Sequence, residues 1–260
     1  MRQKSIAMDN RQATLQLTLQ QYAQQYETHD FVKGDPSWFM HQVSGQQNQE
    51  LMAWVAQALS YGRREQFMQK IQLILDYAQG NARQWITSGN FNQRFRPDDN
   101  SSFYRLYTYA DMHDFFEATR LLLRQHGSLL NFLRAKIADN PASLNAIKAI
   151  CAYYADFKVK AIPANTDSSC KRLCMFLRWM VRDNSPVDLG LWSGFIDKRT
   201  LIMPLDTHVL TQAKNLGLIN SQTATMSAAL KLTDKLRECF PDDPLKADFA
   251  LFGYGVNNKK

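Results

Sequence analysis

Apolar residues recur along most of this chain at helical spacing, and no run of strict alternation marks a strand. Asn10 to Glu27 is Gln-rich, with Leu15, Leu17, Leu19, Tyr22 and Tyr26 forming one narrow apolar face. Asp35-Pro36 reads as an N-cap followed by proline at the first helical position. Leu51, Trp54, Val55, Ala58 and Leu59 predict an amphipathic helix that Gly62 ends. Phe67, Ile71, Ile74, Leu75 and Ala78 predict a second, closed by Gly80-Asn81.

The polar, turn-rich stretch Asn90 to Ser102 predicts an exposed loop, and Phe103 to Arg124 an aromatic-rich helix. Ser128 opens another, closed by Asn140-Pro141. Leu144 to Lys160 and Ser168 to Arg182 follow as helices, with Pro186 to Arg199 as a connector. Asp206 starts a helix that Gly217 stops, Ser221 to Phe240 forms the next, and Asp243-Pro244 opens the last. The expected fold class is all-α: residues 1–260 as a single helical domain with two lobes. The N- and C-terminal helices would form one lobe and the middle helices the other.

At 45% hydrophobic residues the chain can build a large core, and a net charge of +7 favours a polyanionic partner. No apolar run is long enough to span a bilayer, and the charged N-terminus has no leader-like apolar segment, so a cytoplasmic protein is expected. The four cysteines (Cys151, Cys170, Cys174 and Cys239) form no CxxC and suggest reduced thiols. His29, His41, His113, His126 and His208 make no metal-binding pattern, so neither metal nor cofactor is expected.

Two segments carry candidate chemistry. In Ser168 to Arg182, Leu173, Phe176, Leu177 and Met180 share one face. Lys171, Arg178 and Arg182 share another, because separations of seven and four residues return to the same side of a helix. A cationic stripe beside the unpaired amides of a helix start suits a nucleic-acid backbone; an ordinary solvated face has the same pattern. In Leu201 to Leu218, Asp206 is placed as an N-cap. A carboxylate there is held rigidly and favoured in its ionised form. It could oppose a developing sugar cation, or only cap its helix. His208 is its titratable neighbour.

PLDTHVLTQAKNLGL resembles the segment of helix-hairpin-helix DNA glycosylases that carries their catalytic aspartate, which falls on Asp206. CKRLCMFLRWMVR resembles the second helix of their hairpin and puts the catalytic lysine at Lys171. DPLKADFALFGYGV resembles their closing helix, and LMAWVAQALSYGRREQF an early helix with the turn that faces DNA. DPSWFMHQ, ALSYGRREQF, VDLGLW and IMPLDTHV further resemble a bacterial family of conserved hypothetical proteins, over roughly Asp35 to Gly255.

The resemblance implies a two-lobed bundle with a central cleft, damaged duplex DNA as partner, a monomer, and excision of a base with possible strand nicking. In it Arg63, Arg64, Ser169, Arg178, Arg182 and His208 would contact the nucleic acid, and Tyr61 would line the base pocket or act as a wedge. Three departures stand out. The hairpin's usual glycines are replaced by Asp167 and Ser169. Lys171 and Asp206 lie 35 residues apart, longer than in endonuclease III and closer to archaeal glycosylases acting on oxidised guanine, so the resemblance leans toward an oxidised purine. The four-cysteine iron–sulfur loop of endonuclease III has no counterpart before Lys260. A non-catalytic nucleic-acid-binding helical protein would share the same helices and basic face.

Overall fold

The computed structural model describes residues 2–257, and side chains from residue 13 onward. The chain is predominantly helical. The Gln-rich stretch forms α1 (Arg2–Tyr26), which buries Leu19 and Ala23. Two single turns follow, α2 (His29–Val32) and α3 (Trp38–His41). Asp35 accepts the Ser37 amide at 2.9 Å and so closes a turn, and the helix begins only at Trp38.

Helix α4 (Gln46–Leu59) is buried on every side from Glu50 to Leu59, and the expected amphipathic face is absent. It is the central helix, with Trp54 against Phe115, Tyr154 and Phe176. Its Glu50 carboxylate accepts the Leu129 and Leu130 amides and the Trp192 indole N–H. Burial raises the pKa of Glu50, and these donors only partly offset it.

Helix α5 (Arg64–Ala78) ends at Gln79 in the left-handed region, and Asn81 caps α6 (Ala82–Ser88). The expected loop Asn90 to Ser102 is not wholly exposed: a 3₁₀ turn spans Asn90–Gln93, and Phe91 and Phe95 are buried. Phe103 does not begin a helix either. Strands β1 (Ser102–Tyr104) and β2 (Tyr107–Thr108) make an antiparallel hairpin. Thr108 and Asp111 then close a capping box on α7 (Tyr109–His126).

Ser128 caps α8 (Leu129–Ile137), and α9 (Ser143–Asp156) follows. The chain then runs through α10 (Lys171–Val181), α11 (Thr207–Asn215), α12 (Met226–Arg237) and α13 (Lys246–Asn257).

The first and last described helices pack together: α1 lies along α13, and α13 also meets α11. Tyr22 and Tyr26 make edge contacts with Tyr254 and Phe252. A Cβ on Gly253 would lie 2.3 Å from the Tyr26 ring, so only glycine permits this approach. Helix α10 crosses the middle of the core, packed on α4 and α9. No helix among the described residues is long and apolar enough to cross a membrane.

Candidate active site

Lys171 is the first residue of α10 and Asp206 is the N-cap of α11. Their positions are tied together just upstream, where Ser169 Oγ donates to the Leu205 carbonyl at 2.7 Å. Cys170 adopts the left-handed region (φ 47°), which turns the chain sharply into α10. No side chain caps α10, so its first amides keep no side-chain partner. Asp167 is exposed and forms no cap; its amide donates to Asn165 Oδ1 at 3.0 Å.

The two candidate groups meet. Lys171 Nζ donates to Asp206 Oδ2 at 2.7 Å, while Asp206 Oδ1 accepts the Val209 amide at 2.8 Å. Their side chains are 37% and 29% exposed, so the pair is open to a ligand. Burial would raise the pKa of Asp206. The Lys171 charge and hydrogen bond, the Val209 amide and His208 together outweigh it and hold Asp206 below the ordinary carboxylate value.

The pair lines both parts of one cleft. One part, of about 680 Å³, is bounded by Tyr61, Gly62, Phe67, Pro163 and Arg172. The other, of about 540 Å³, is more apolar and is bounded by Phe31, Leu251, Phe252 and Val256. Asp35, Arg64, Lys171, Met175, Asp206 and His208 line both. The cleft therefore offers an amine beside an ionised carboxylate, a cationic rim and an apolar recess.

Arg64 and His208 are exposed on the cleft wall as expected; Arg63, also exposed, does not line it. Four expectations need correction. Arg178 and Arg182 are not on a solvated face: they are 4% and 0% exposed. Arg178 donates to Asp188 at 3.2 Å and to Asp248, and its guanidinium lies 4.7 Å from the Phe249 ring centroid. Arg182 is held by Asp243 at 2.9 Å, Glu27 at 2.8 Å and Asp188. Burial would lower both pKa values, yet the surrounding carboxylates raise them, so both stay charged and paired in the core; Arg178 also borders the apolar part of the cleft, and Arg182 does not. The stripe is real as a helical row, but acidic residues from distant segments cover its C-terminal part.

Ser169 lines the cleft but is also buried, and its hydroxyl is spent on Leu205, so that hydroxyl is not free for a phosphate. Tyr61 lines the cleft, as the pocket alternative expects, but does not project as a wedge. Its hydroxyl donates to the Tyr104 carbonyl at 3.2 Å and accepts the Leu106 amide at 3.2 Å, and its ring packs against Tyr104 and Tyr107.

Asp35 and Asp248 are cleft residues the sequence reading missed. Burial raises the pKa of Asp248 despite Arg178 and Lys171. A carboxylate inside the apolar run DPLKADFALFGYGV was its available signal. Among the described residues, no three His, Cys, Asp or Glu side chains gather as a metal site.

A family model described as "Protein of unknown function (DUF2400)" matches residues 35–257, and the chain belongs to that family. No curated protein and no solved structure matches the chain.

Proposed function

We propose that this member of a family whose description assigns no activity is a DNA glycosylase with AP-lyase chemistry. It would act on a damaged base, with Lys171 as nucleophile and Asp206 as its acid–base and electrostatic partner. The observation that carries the reading is their meeting at 2.7 Å on the wall of a cleft, from positions 35 residues apart. The cleft parts fall within the roughly 300–1,000 Å³ typical of small-molecule sites. A two-lobed helix-hairpin-helix bundle, duplex DNA as partner and a cytoplasmic setting belong to the same reading.

The chemistry follows from the two groups. A nucleotide rotated out of the duplex enters the cleft. The Asp206 carboxylate accepts a proton from Lys171 Nζ, and the freed lone pair attacks C1′ of the sugar. The C1′–N bond breaks, its electron pair leaves with the base, and the base takes a proton. The Nζ lone pair then breaks the C1′–O4′ bond, O4′ takes the proton held by Asp206, and a Schiff base joins Nζ to C1′. Loss of a C2′ proton then expels the 3′ phosphate and nicks the strand. Arg64, His208 and the uncapped start of α10, all beside the cleft, would hold the phosphates.

The test is a panel of oligonucleotides carrying oxidised, alkylated or deaminated bases, read for base release. Wild type should release at least one base, Lys171→Gln none, and Asp206→Asn far less. No release from any lesion by a protein that binds DNA would favour a non-catalytic binder. One observation supports that second reading: Asp167 is exposed and Ser169 turned inward where an ordinary hairpin would offer glycine amides.

A further inference from the structure

The β1–β2 hairpin carries a large apolar side chain into solvent beside this cleft. Leu106 is 80% exposed at the turn between Tyr104 and Tyr107. Arg105, just before it, has a φ of 52°, a conformation that persists in a non-glycine residue only where its surroundings enforce it. Tyr61 provides that enforcement. Its hydroxyl bridges the Tyr104 carbonyl and the Leu106 amide, and the Tyr104 hydroxyl donates back to the Tyr61 carbonyl. The Arg105 guanidinium lies 5.7 Å from the centroid of the same ring.

Gly62 completes the fit: a Cβ there would lie 2.5 Å from Arg105 Nη1 and 2.9 Å from Tyr104 Oη. The hairpin is also tied to the site. Arg172, the neighbour of Lys171, donates to Tyr107 Oη at 3.1 Å and to the Ala58 carbonyl, and lies 5.4 Å from the Tyr61 ring centroid. The tip is thus a rigid projection fixed relative to Lys171.

Its surroundings are cationic. Arg63, Arg64 and Arg105 are exposed, and none forms an ion pair among the described residues. One leucine flanked by arginines is too small for a protein interface core, which needs a contiguous apolar patch. It matches a duplex, in which stacked bases lie between two rows of phosphate and apolar side chains wedge between base steps.

We propose that the hairpin tip is a duplex wedge: Leu106 enters the base stack while Arg105 and Arg63 hold the adjacent phosphates. The wedge keeps an extruded nucleotide in the Lys171–Asp206 cleft. It rests on reading that cleft as a DNA site.

The test uses the full chain and duplexes with 2-aminopurine next to a tetrahydrofuran abasic-site analogue, a readout independent of base release. Wild type should raise the fluorescence several-fold as the neighbouring base unstacks. Leu106→Ala should lose most of that rise and bind the duplex about tenfold more weakly, with single-strand affinity unchanged. Leu106→Phe should restore the rise. At 80% exposure neither substitution threatens folding.

An undiminished rise with Leu106→Ala, on duplex it still binds, would overturn the wedge and leave the DNA reading intact. No binding of the duplex by wild type would overturn both. A wild-type dimer that Leu106→Ala dissolves in sedimentation would make the tip a contact between copies and overturn the wedge. The expected fluorescence pattern without base release from any lesion would support the wedge while removing the glycosylase.

Discussion

The two ends of helix α10 use the same chemistry in opposite ways. At its start Lys171 meets one carboxylate on a cleft wall, with both groups partly in solvent. Along its last turns Arg178 and Arg182, themselves almost wholly buried, meet Asp188, Asp248, Asp243 and Glu27. A partly exposed pair contributes little to stability and leaves its amine free to act. A buried array is different: its charges are desolvated, and each needs every partner. Burial, and not residue type or helical row, separates the cation open to the cleft from the two committed to the core.

That contrast predicts a sorting of variants. Lys171→Gln should abolish covalent adduct and base release, a loss of about 10⁴-fold or more, equivalent to roughly 5 kcal/mol of barrier. Its melting temperature should stay within a few degrees of wild type, because an exposed pair is worth about 0–1 kcal/mol. Arg182→Met should do the reverse. Removing the Arg182 cation from Asp243, Glu27 and Asp188, of which only Asp188 keeps a second arginine, costs on the order of 3–5 kcal/mol. Calorimetry should show the midpoint falling by roughly 10 °C, with base release retained below it. Equal thermal losses in both variants would erase the distinction.

Asp206→Asn should be intermediate. Asparagine caps a helix nearly as well as aspartate, so stability holds while single-turnover base release drops by roughly 10²–10⁴-fold. Arg64→Ala should weaken duplex binding several-fold and lower the salt slope by about one, read by titration at several salt concentrations.

The smallest effect is in pH. A carboxylate whose folded pKa lies below its unfolded value stabilises the fold above the unfolded value and stops doing so as pH falls through the folded one. For Asp206 the stability difference between wild type and Asp206→Asn should therefore stay constant from pH 7 to about 5. It should shrink only below the ordinary value of 3.8. Denaturant titrations at stepped pH measure it.

Much of this was legible along the chain, for physical reasons that also mark where legibility ends. The helical period and the caps at Ser128 and Asp206 are local signals, and the structure keeps them. Lys171 and Asp206 were identifiable because each starts a helix within a distinctive segment. The fate of Arg178 and Arg182 was not, because Asp243 and Glu27 lie 61 and 155 residues from Arg182. The hairpin is hidden in a segment whose pattern predicts a helix, because strands of three and two residues are too short to show alternation. Phe91 and Phe95 are buried within a polar stretch whose composition predicted exposure. Tyr61 was recognisable as a cleft residue, but its role as a strut under Leu106 depends on a contact 45 residues away.

The most direct measurement is peptide mapping after borohydride reduction with abasic-site DNA. One adduct is expected, with the reduced sugar on the Nζ of Lys171, lost in Lys171→Gln. An adduct on a different lysine, or none on DNA that the protein demonstrably binds, would contradict it.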